Sequence, residues 1–344
     1  MMKNIAIIGA GKIGRTVHQY LSLYEHTLFL IDNVSAEGVV QLDATDLDAL
    51  KKFLNENAVD ICISAAPYNI NIGIANVCAE TSTAYFDLTE DTEVSQHIKS
   101  LKTDTFMMPQ CGLAPGAVNI IAANLIKQFD SVDKVKMRVG ALPMYTTNAM
   151  AYYLTWSTSG LINEYVNAVD VLSNGEHIKA QPLDGLETIY IDGDRYEAFN
   201  TSGGVATMCE TYKDVVKHSL NYKTIRYPGH QASMKFLLDD LNLKHNKQKF
   251  IDLFDQEVPH TNQDVVIMLI SVAGHCNGTY QEKSYAKKIY GDGQLNGIQI
   301  STASGVCALV QAYAEGVLHG KGFIRQEDVD MNIFTSNKFG ELYE

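Results

Sequence analysis

The chain has 344 residues, beyond the roughly 250–300 at which one hydrophobic core usually stops growing, so two domains are the default. Apolar residues make up 46% and charged residues 19%, a globular composition that excludes a disordered chain. With 27 Lys plus Arg against 40 Asp plus Glu, the net charge of -13 gives no bulk attraction to nucleic acid or anionic lipid. No apolar stretch reaches the roughly 20 residues of a spanning helix. The first apolar run breaks into Gly9-Ala10-Gly11 without a small-residue cleavage site, so it reads as a buried strand and not as a signal peptide. Six scattered cysteines without a CxxC pair point to reduced thiols in a cytoplasm, with neither a disulfide framework nor a zinc site.

In chain order, strands are expected at 4–8, 27–31, 39–42, 60–64, 84–86 and 105–108. Helical patterns lie between them, the first with Ile13, Val17 and Leu21 at four-residue steps. Continuously apolar strands alternating with helices mean a parallel sheet covered on both faces. After about residue 130 the pattern changes. Strand-like runs at 134–141, 177–182, 187–191 and 195–199 are separated by Ser173-Asn174-Gly175 and Asp192-Gly193-Asp194, which join antiparallel neighbours. Helices are expected at 160–171, 208–218, 231–241 and 247–256, strands at 264–273 and 280–289, and a last helix at 301–316. The second part therefore reads as a mixed, largely antiparallel sheet with helices, packed across a cleft from the first because no linker separates them.

Gly9-Ala10-Gly11-Lys12-Ile13-Gly14 is G-x-G-x-x-G, placed between an apolar strand and an amphipathic helix as the motif requires. Gly9 permits the tight turn, Gly11 lets backbone approach a pyrophosphate, and Gly14 lets the helix pack on the strand. Lys12 and Ile13 open that helix, whose free N–H groups and dipole favour phosphates. Asp32 ends the second strand 21 residues after Gly11, where an acid takes the ribose hydroxyls. Its charge would repel the extra phosphate of NADP, and Asn33 supplies no compensating cation, so NAD is the expected cofactor; Arg15 is the one group that weakens this argument. Asp43, with Asp46, either faces the adenine side or caps the next helix. Ala66, ahead of Pro67, completes the cofactor-lining candidates.

Several segments resemble a known family. Pro67-Tyr68-Asn69, Tyr85-Phe86-Asp87-Leu88-Thr89-Glu90-Asp91, Cys111-Gly112-Leu113-Ala114-Pro115-Gly116, Gly140-Ala141-Leu142-Pro143, Thr155-Trp156-Ser157, Gly160-Leu161-Ile162-Asn163-Glu164-Tyr165, Phe199-Asn200-Thr201-Ser202-Gly203-Gly204 and Thr224-Ile225-Arg226-Tyr227-Pro228-Gly229-His230 look like bacterial saccharopine dehydrogenase-family proteins. The resemblance runs through nearly the whole chain. It implies a doubly wound α/β Rossmann domain (1–120), an inserted α+β substrate domain (121–300) and a C-terminal helix and tail returning to the first domain (301–344). It also implies NAD(P)-dependent oxidation at a C–N bond of saccharopine or a related lysine-derived amine, with L-lysine 6-dehydrogenase activity on free lysine as the alternative. A catalytically silent dinucleotide sensor is the alternative from another class.

The site candidates follow. The resemblance puts Tyr68 near nicotinamide and substrate. Asp87 sits at a strand end, where a carboxylate binds an ammonium or acts as a base; Glu90 and Asp91 read as first-turn acids. Cys111 is either a small buried hydrophobe or, near a helix N-terminus, an ionisable thiol, and the resemblance favours a place lining the cleft. Arg226 is the expected anchor for a substrate carboxylate, because a guanidinium grips it with two parallel bonds. His230 is a second acid/base group or the start of the next helix. Asn163 and Glu164 are candidates for a second amino group, Trp156 for the substrate wall or core, and Arg138, Arg195 and Lys223 for further anchors. No metal is expected, since His260 and His275 lack ligand spacing. A homodimer is expected, with the apolar run 265–273 as either interface or core.

Overall fold

Ile5, Ala6 and Ile7 have no exposed surface, as befits a strand covered on both faces, and this strand, β1 (Asn4–Ile8), lies inside the first sheet. The computed structural model describes residues 2–344, which divide into two units. One comprises the chain up to Ile120 together with Ser301–Glu344, and the other comprises Ile121–Ile300.

In the first unit β1 is followed by α1 (Lys12–Leu21), β2 (Thr27–Asp32), β3 (Val40–Gln41), α2 (Leu47–Glu56) and β4 (Ile61–Ser64). Then come α3 (Asn71–Thr81), β5 (Ala84–Asp87), α4 (Thr92–Ser100), β6 (Phe106–Met108) and α5 (Ala117–Ile126), whose residues after Ile120 belong to the second unit. The second unit holds β7 (Ser131–Pro143), α6 (Thr158–Val166), β8 (Val169–Ser173), β9 (Glu176–Ala180), β10 (Glu187–Ile191) and β11 (Asp194–Asn200). It continues with α7 (Met208–Thr211), β12 (Val216–Arg226), α8 (His230–Lys235), α9 (Lys247–Glu257), β13 (Asp264–Cys276) and β14 (Thr279–Tyr290). The chain returns through α10 (Gly297–Glu315) to β15 (Gly322–Phe323).

The first sheet is parallel throughout, in the order β15-β6-β5-β4-β1-β2-β3. The chain runs outward from β1 in one direction through β2 and β3 and in the other through β4 to β6. That reversal makes the carboxyl ends of β1 and β4 the crevice where open α/β sheets take ligands. Close packing of the returning helix needs Gly305, where a Cβ would lie 2.5 Å from Gly112 O. The second sheet has eight strands and runs β10-β11-β12-β7-β13-β14, with β8 joined to β12 and β9 joined to β8. It is mixed, because β12 and β7 are parallel while the other pairs are antiparallel. Asn174-Gly175 and Asp192-Gly193 turn its hairpins with positive φ, as those residue types allow.

Local differences from the sequence reading have physical causes. The helix expected at 160–171 stops at Val166, since Val169–Ser173 is claimed as a strand by β9 and β12. The helix expected at 208–218 lasts one turn; Val216 already begins β12, an interior strand whose Val216 and Leu220 are buried. The helical run 231–241 is α8 followed by a π-helical turn, Phe236–Asp240. The strands at 39–42 and 105–108 shorten to β3 and β6. The apolar run 265–273 lies in β13, hydrogen-bonded on both sides, and most of it is buried within the single chain, which matches its core reading.

Candidate active site

The glycine loop uses its three glycines differently. Gly9 has φ +101°, and a Cβ there would lie 2.7 Å from Ala65 O. A Cβ on Gly14 would lie 1.8 Å from Gly9 O, so the helix packs directly on the loop. At Gly11, the N-cap of α1, a Cβ would meet nothing within 4 Å, and no side chain caps the helix. The chain itself therefore has no packing use for this last glycine. The open space and a helix N-terminus without a side-chain cap suit the pyrophosphate of a dinucleotide. Lys12 and Ile13 form the first turn, and Ala66 lies beside Gly9 at the end of β4. Asp32 closes the arrangement: one carboxylate oxygen accepts from Ala10 N–H (2.7 Å) and the other from Val34 N–H (3.0 Å). Those bonds hold its pKa below the usual carboxylate range, so it is ionised at neutral pH. Asp43 is occupied differently, accepting from Thr45 N–H and Oγ1, while Asp46 caps α2.

Farther along the same sheet edge, Tyr68 is 40% exposed in a short 3-10 turn, and its hydroxyl makes no hydrogen bond among the described residues. Asn69 does not cap the next helix, whose N-cap is Ile70. Asp87, expected to face the crevice, is instead fully buried. It accepts from Tyr85 Oη (2.8 Å), Thr89 N–H (3.0 Å) and Gln110 N–H (2.8 Å). It thereby holds Gln110 at φ +65°, a strained value for that residue. Burial raises the Asp87 pKa to about 6 against these hydrogen bonds. Cys111 is also fully buried, its thiol donating to Met108 O at 3.0 Å. Burial and the Asp87 carboxylate push that thiol up, so the ionised form considered from sequence is disfavoured. Glu90, set aside in sequence as a first-turn acid, is half-buried without a hydrogen-bond partner, and burial with the Asp91 carboxylate pushes it up to about 7.

In the second unit, β12, α6, α8 and the loop after β7 enclose Arg226, which is 2% exposed. Its Nε donates to Tyr165 Oη (2.9 Å) and its Nη1 to Ile225 O (2.9 Å). The Tyr152 and Tyr165 rings lie 5.3 and 5.9 Å from its Cζ. Tyr165 Oη meets His230 Nε2 at 3.1 Å, and His230 Nδ1 meets Met150 O at 3.0 Å. Burial, then the Arg226 charge, lowers His230 to about 3. Of its two sequence readings the start of the next helix holds, since His230 opens α8, while a neutral, enclosed imidazole is poorly suited to acid/base work at neutral pH. The Tyr152 hydroxyl and Thr155 Oγ1 are buried without a hydrogen bond, although Trp156 and Thr155 are polar neighbours of Tyr152.

The remaining candidates separate. Glu164 is buried and acts electrostatically on Arg226, Tyr165 and Tyr152. Trp156 packs on the apolar cluster around Tyr152, while the Asn163 side chain accepts from Lys247 Nζ (3.2 Å). Arg138 and Lys223 share Glu187, which leaves neither as an unpaired second anchor, and Arg195 is exposed. Thr155 and Tyr165 fall in the resembling segments without being singled out, and Tyr152 in none, since their proximity to Arg226 arises only on folding. Among the described residues no group of three or more His, Cys, Asp or Glu is arranged to hold a metal, and no helix is long and apolar enough to cross a membrane.

Comparison with known proteins adds family information. Residues 5–108 match the saccharopine dehydrogenase NADP binding domain, and residues 112–337 match the saccharopine dehydrogenase C-terminal domain. A curated relative in Schizosaccharomyces pombe, saccharopine dehydrogenase [NADP(+), L-glutamate-forming], is 21% identical over 283 residues, covering 73% of this chain and 60% of the relative. The enzyme of the same name from Saccharomyces cerevisiae is 23% identical over 274 residues, covering 70% and 58%. The match thus spans less than two thirds of these relatives. Among solved structures, apo saccharopine dehydrogenase (L-Glu forming) from Saccharomyces cerevisiae has a TM-score of 0.76 at 15% identity, covering 96% of this chain and 95% of that one. A DAP dehydrogenase from C. glutamicum in complex with DAP has a TM-score of 0.52 at 11% identity, covering 99% and 98%. These likenesses are of fold.

Proposed function

Because the chain belongs to the saccharopine dehydrogenase family, we propose that it is an NAD(P)-dependent oxidoreductase acting on the CH–NH bond of saccharopine or a related lysine-derived amine. The observation that carries the proposal is the glycine loop, with open space at Gly11 over an uncapped helix N-terminus, at the switch point of a parallel sheet. In this reading residues 1–120 take the dinucleotide, residues 121–300 take the substrate, and 301–344 complete the first unit. A bound nicotinamide supplies the two-electron acceptor. The chain's own residues hold the pyrophosphate at Gly9–Gly14, meet the ribose with Asp32, and grip a substrate carboxylate with Arg226. Tyr68 and Glu90 are the acid/base groups at the sheet edge with unpartnered polar ends, and Glu90 lies near the pKa that proton transfer at neutrality favours.

Ionised Asp32 favours NAD, whereas the names of both curated relatives specify NADP(+). Titration of the two dinucleotides at one ionic strength decides between them, and equal or tighter NADP binding removes the Asp32 argument. The six free cysteines fit a reducing cytoplasm. A homodimer remains part of the reading, and sedimentation at micromolar concentration showing only single-chain mass refutes it. The function is tested by absorbance at 340 nm with each dinucleotide and a panel of lysine derivatives. Turnover of saccharopine supports the proposal. Turnover of lysine alone supports the 6-dehydrogenase reading. Tight dinucleotide binding with no turnover of any amine supports a sensor.

A further inference from the structure

We propose that Tyr165 and His230 are positioning residues, which aim the Arg226 guanidinium so that its Nη2 edge and the Tyr152 hydroxyl meet a substrate carboxylate together. The proposal rests on the reading of Arg226 as the anchor.

Three hydrogen bonds in series admit only one arrangement of protons. Met150 O can only accept, so His230 Nδ1 carries the proton and Nε2 is bare. Tyr165 therefore donates to Nε2, which leaves its oxygen to accept from Arg226 Nε–H. The other tautomer, or a protonated imidazole, would set the Nε2–H and the arginine Nε–H against the same tyrosine oxygen. The groups around His230 favour the neutral form: Arg226 from β12, the Tyr152, Tyr165 and Phe199 rings, and no carboxylate hydrogen-bonded to it. With Nε held by Tyr165 and Nη1 by Ile225 O, rotation of the guanidinium is restrained at two points. Nη2 has no hydrogen-bond partner among the described residues, and the Tyr152 hydroxyl is buried without one. A buried hydroxyl left unsatisfied, as at Tyr152, is uncommon and costly. A carboxylate, which accepts but does not donate, is the ligand chemistry that would satisfy both.

The test uses the full chain with saccharopine as the probe. Tyr165→Phe is expected to raise the saccharopine KM roughly tenfold, with kcat within about twofold, as loss of a binding contact made equally in ground and transition states does. His230→Leu is expected to act alike. His230→Gln, whose amide can accept from Tyr165 and donate to Met150 O, is expected to recover most of the loss. An unchanged KM in folded Tyr165→Phe overturns the proposal. Arg226→Lys separates the two ideas: a raised KM there with no change in Tyr165→Phe refutes only the positioning role, while no change in Arg226→Lys refutes the anchor itself. Whether or not saccharopine turns over, histidine side-chain nitrogen NMR of the unaltered protein reads the chain directly. A persistent Nδ1–H tautomer from pH 5 to 8 supports it, and an Nε2–H tautomer or a midpoint near 6.5 overturns it.

Discussion

The glycine loop and the arginine cage are built by opposite means. In the loop, the candidate ligand contacts are backbone N–H groups, and the residues that create them are consecutive: Gly9 for the turn, Gly11 for open space, Gly14 for packing. In the cage the contacts are side chains, drawn from the loop at Tyr152, from Tyr165 on α6 and from Arg226 and His230 at the end of β12 and start of α8. A backbone site is encoded by what its residues lack. A side-chain site is encoded by which distant residues the fold gathers. Mutation should therefore separate the two regions cleanly, with the loop divisible into folding and binding positions and the cage not.

The largest effect is expected at Arg226. Arg226→Ala should raise the KM for saccharopine by about a hundredfold or more, since it removes charge-assisted bonds worth about 1.5–3 kcal/mol each. Arg226→Lys, which keeps charge without the fork, should cost about 1.5–3 kcal/mol. In both variants the dinucleotide Kd, read by fluorescence titration, should stay at the wild-type value. A parallel loss of dinucleotide affinity would break the separation of the two regions.

Next come the glycines. Gly14→Ala forces a methyl onto Gly9 O, so denaturant unfolding should show a loss of about 3 kcal/mol. Gly11→Ala has negative φ and empty space, so its stability should be unchanged while dinucleotide binding weakens about tenfold. Equal stability losses in the two variants would contradict the division of labour read from the loop.

These contrasts also explain what was legible in sequence. The parallel sheet was legible because β1 after Asn4, β4 and β5 are apolar or buried runs, and the loop because its signature is contiguous. β12 was misread in part because its outward Lys217 and His218 break any alternation, and only pairing with β7 and β11 makes it a strand. Arg226 could be named as the expected anchor because a permanent cation in the resembling segment 224–230 suggests an anion. Tyr165 and Tyr152 could not be, because nothing in a tyrosine's neighbours along the chain announces an arginine that lies, for Tyr165, 61 residues away. Asp87 and His230 were assigned proton chemistry from residue type, and burial gave them structural hydrogen bonds instead.

Smaller effects lie in pH dependence, where His230 of the cage and Asp87 at the end of β5 should differ in sign. His230 has a folded pKa near 3, below its ordinary 6.5, so its contribution to stability is complete above 6.5 and is lost as pH falls toward 3. Asp87 is raised to about 6 from 3.8, so its contribution is complete below 3.8 and is lost as pH rises through 6. Asp87→Asn should therefore gain stability relative to wild type between pH 4 and 6, by about 1 kcal/mol per pH unit, in urea titrations at several pH values. A difference independent of pH would show that Asp87 ionises normally. Smallest in extent, Glu90→Gln should flatten the limb of the kcat/KM profile near pH 7 without altering saccharopine binding. An unchanged limb would remove Glu90 from the proton chemistry.

The most direct measurement is the initial rate at 340 nm when purified protein is mixed with saccharopine and either dinucleotide, run beside Arg226→Ala. The account predicts reduced dinucleotide accumulating with the unaltered protein and, at the same saccharopine concentration, a rate at least tenfold lower in the variant, with dinucleotide affinity equal in both. Equal rates in the two proteins, or firm dinucleotide binding with no reduction by saccharopine or any other lysine-derived amine, would contradict it.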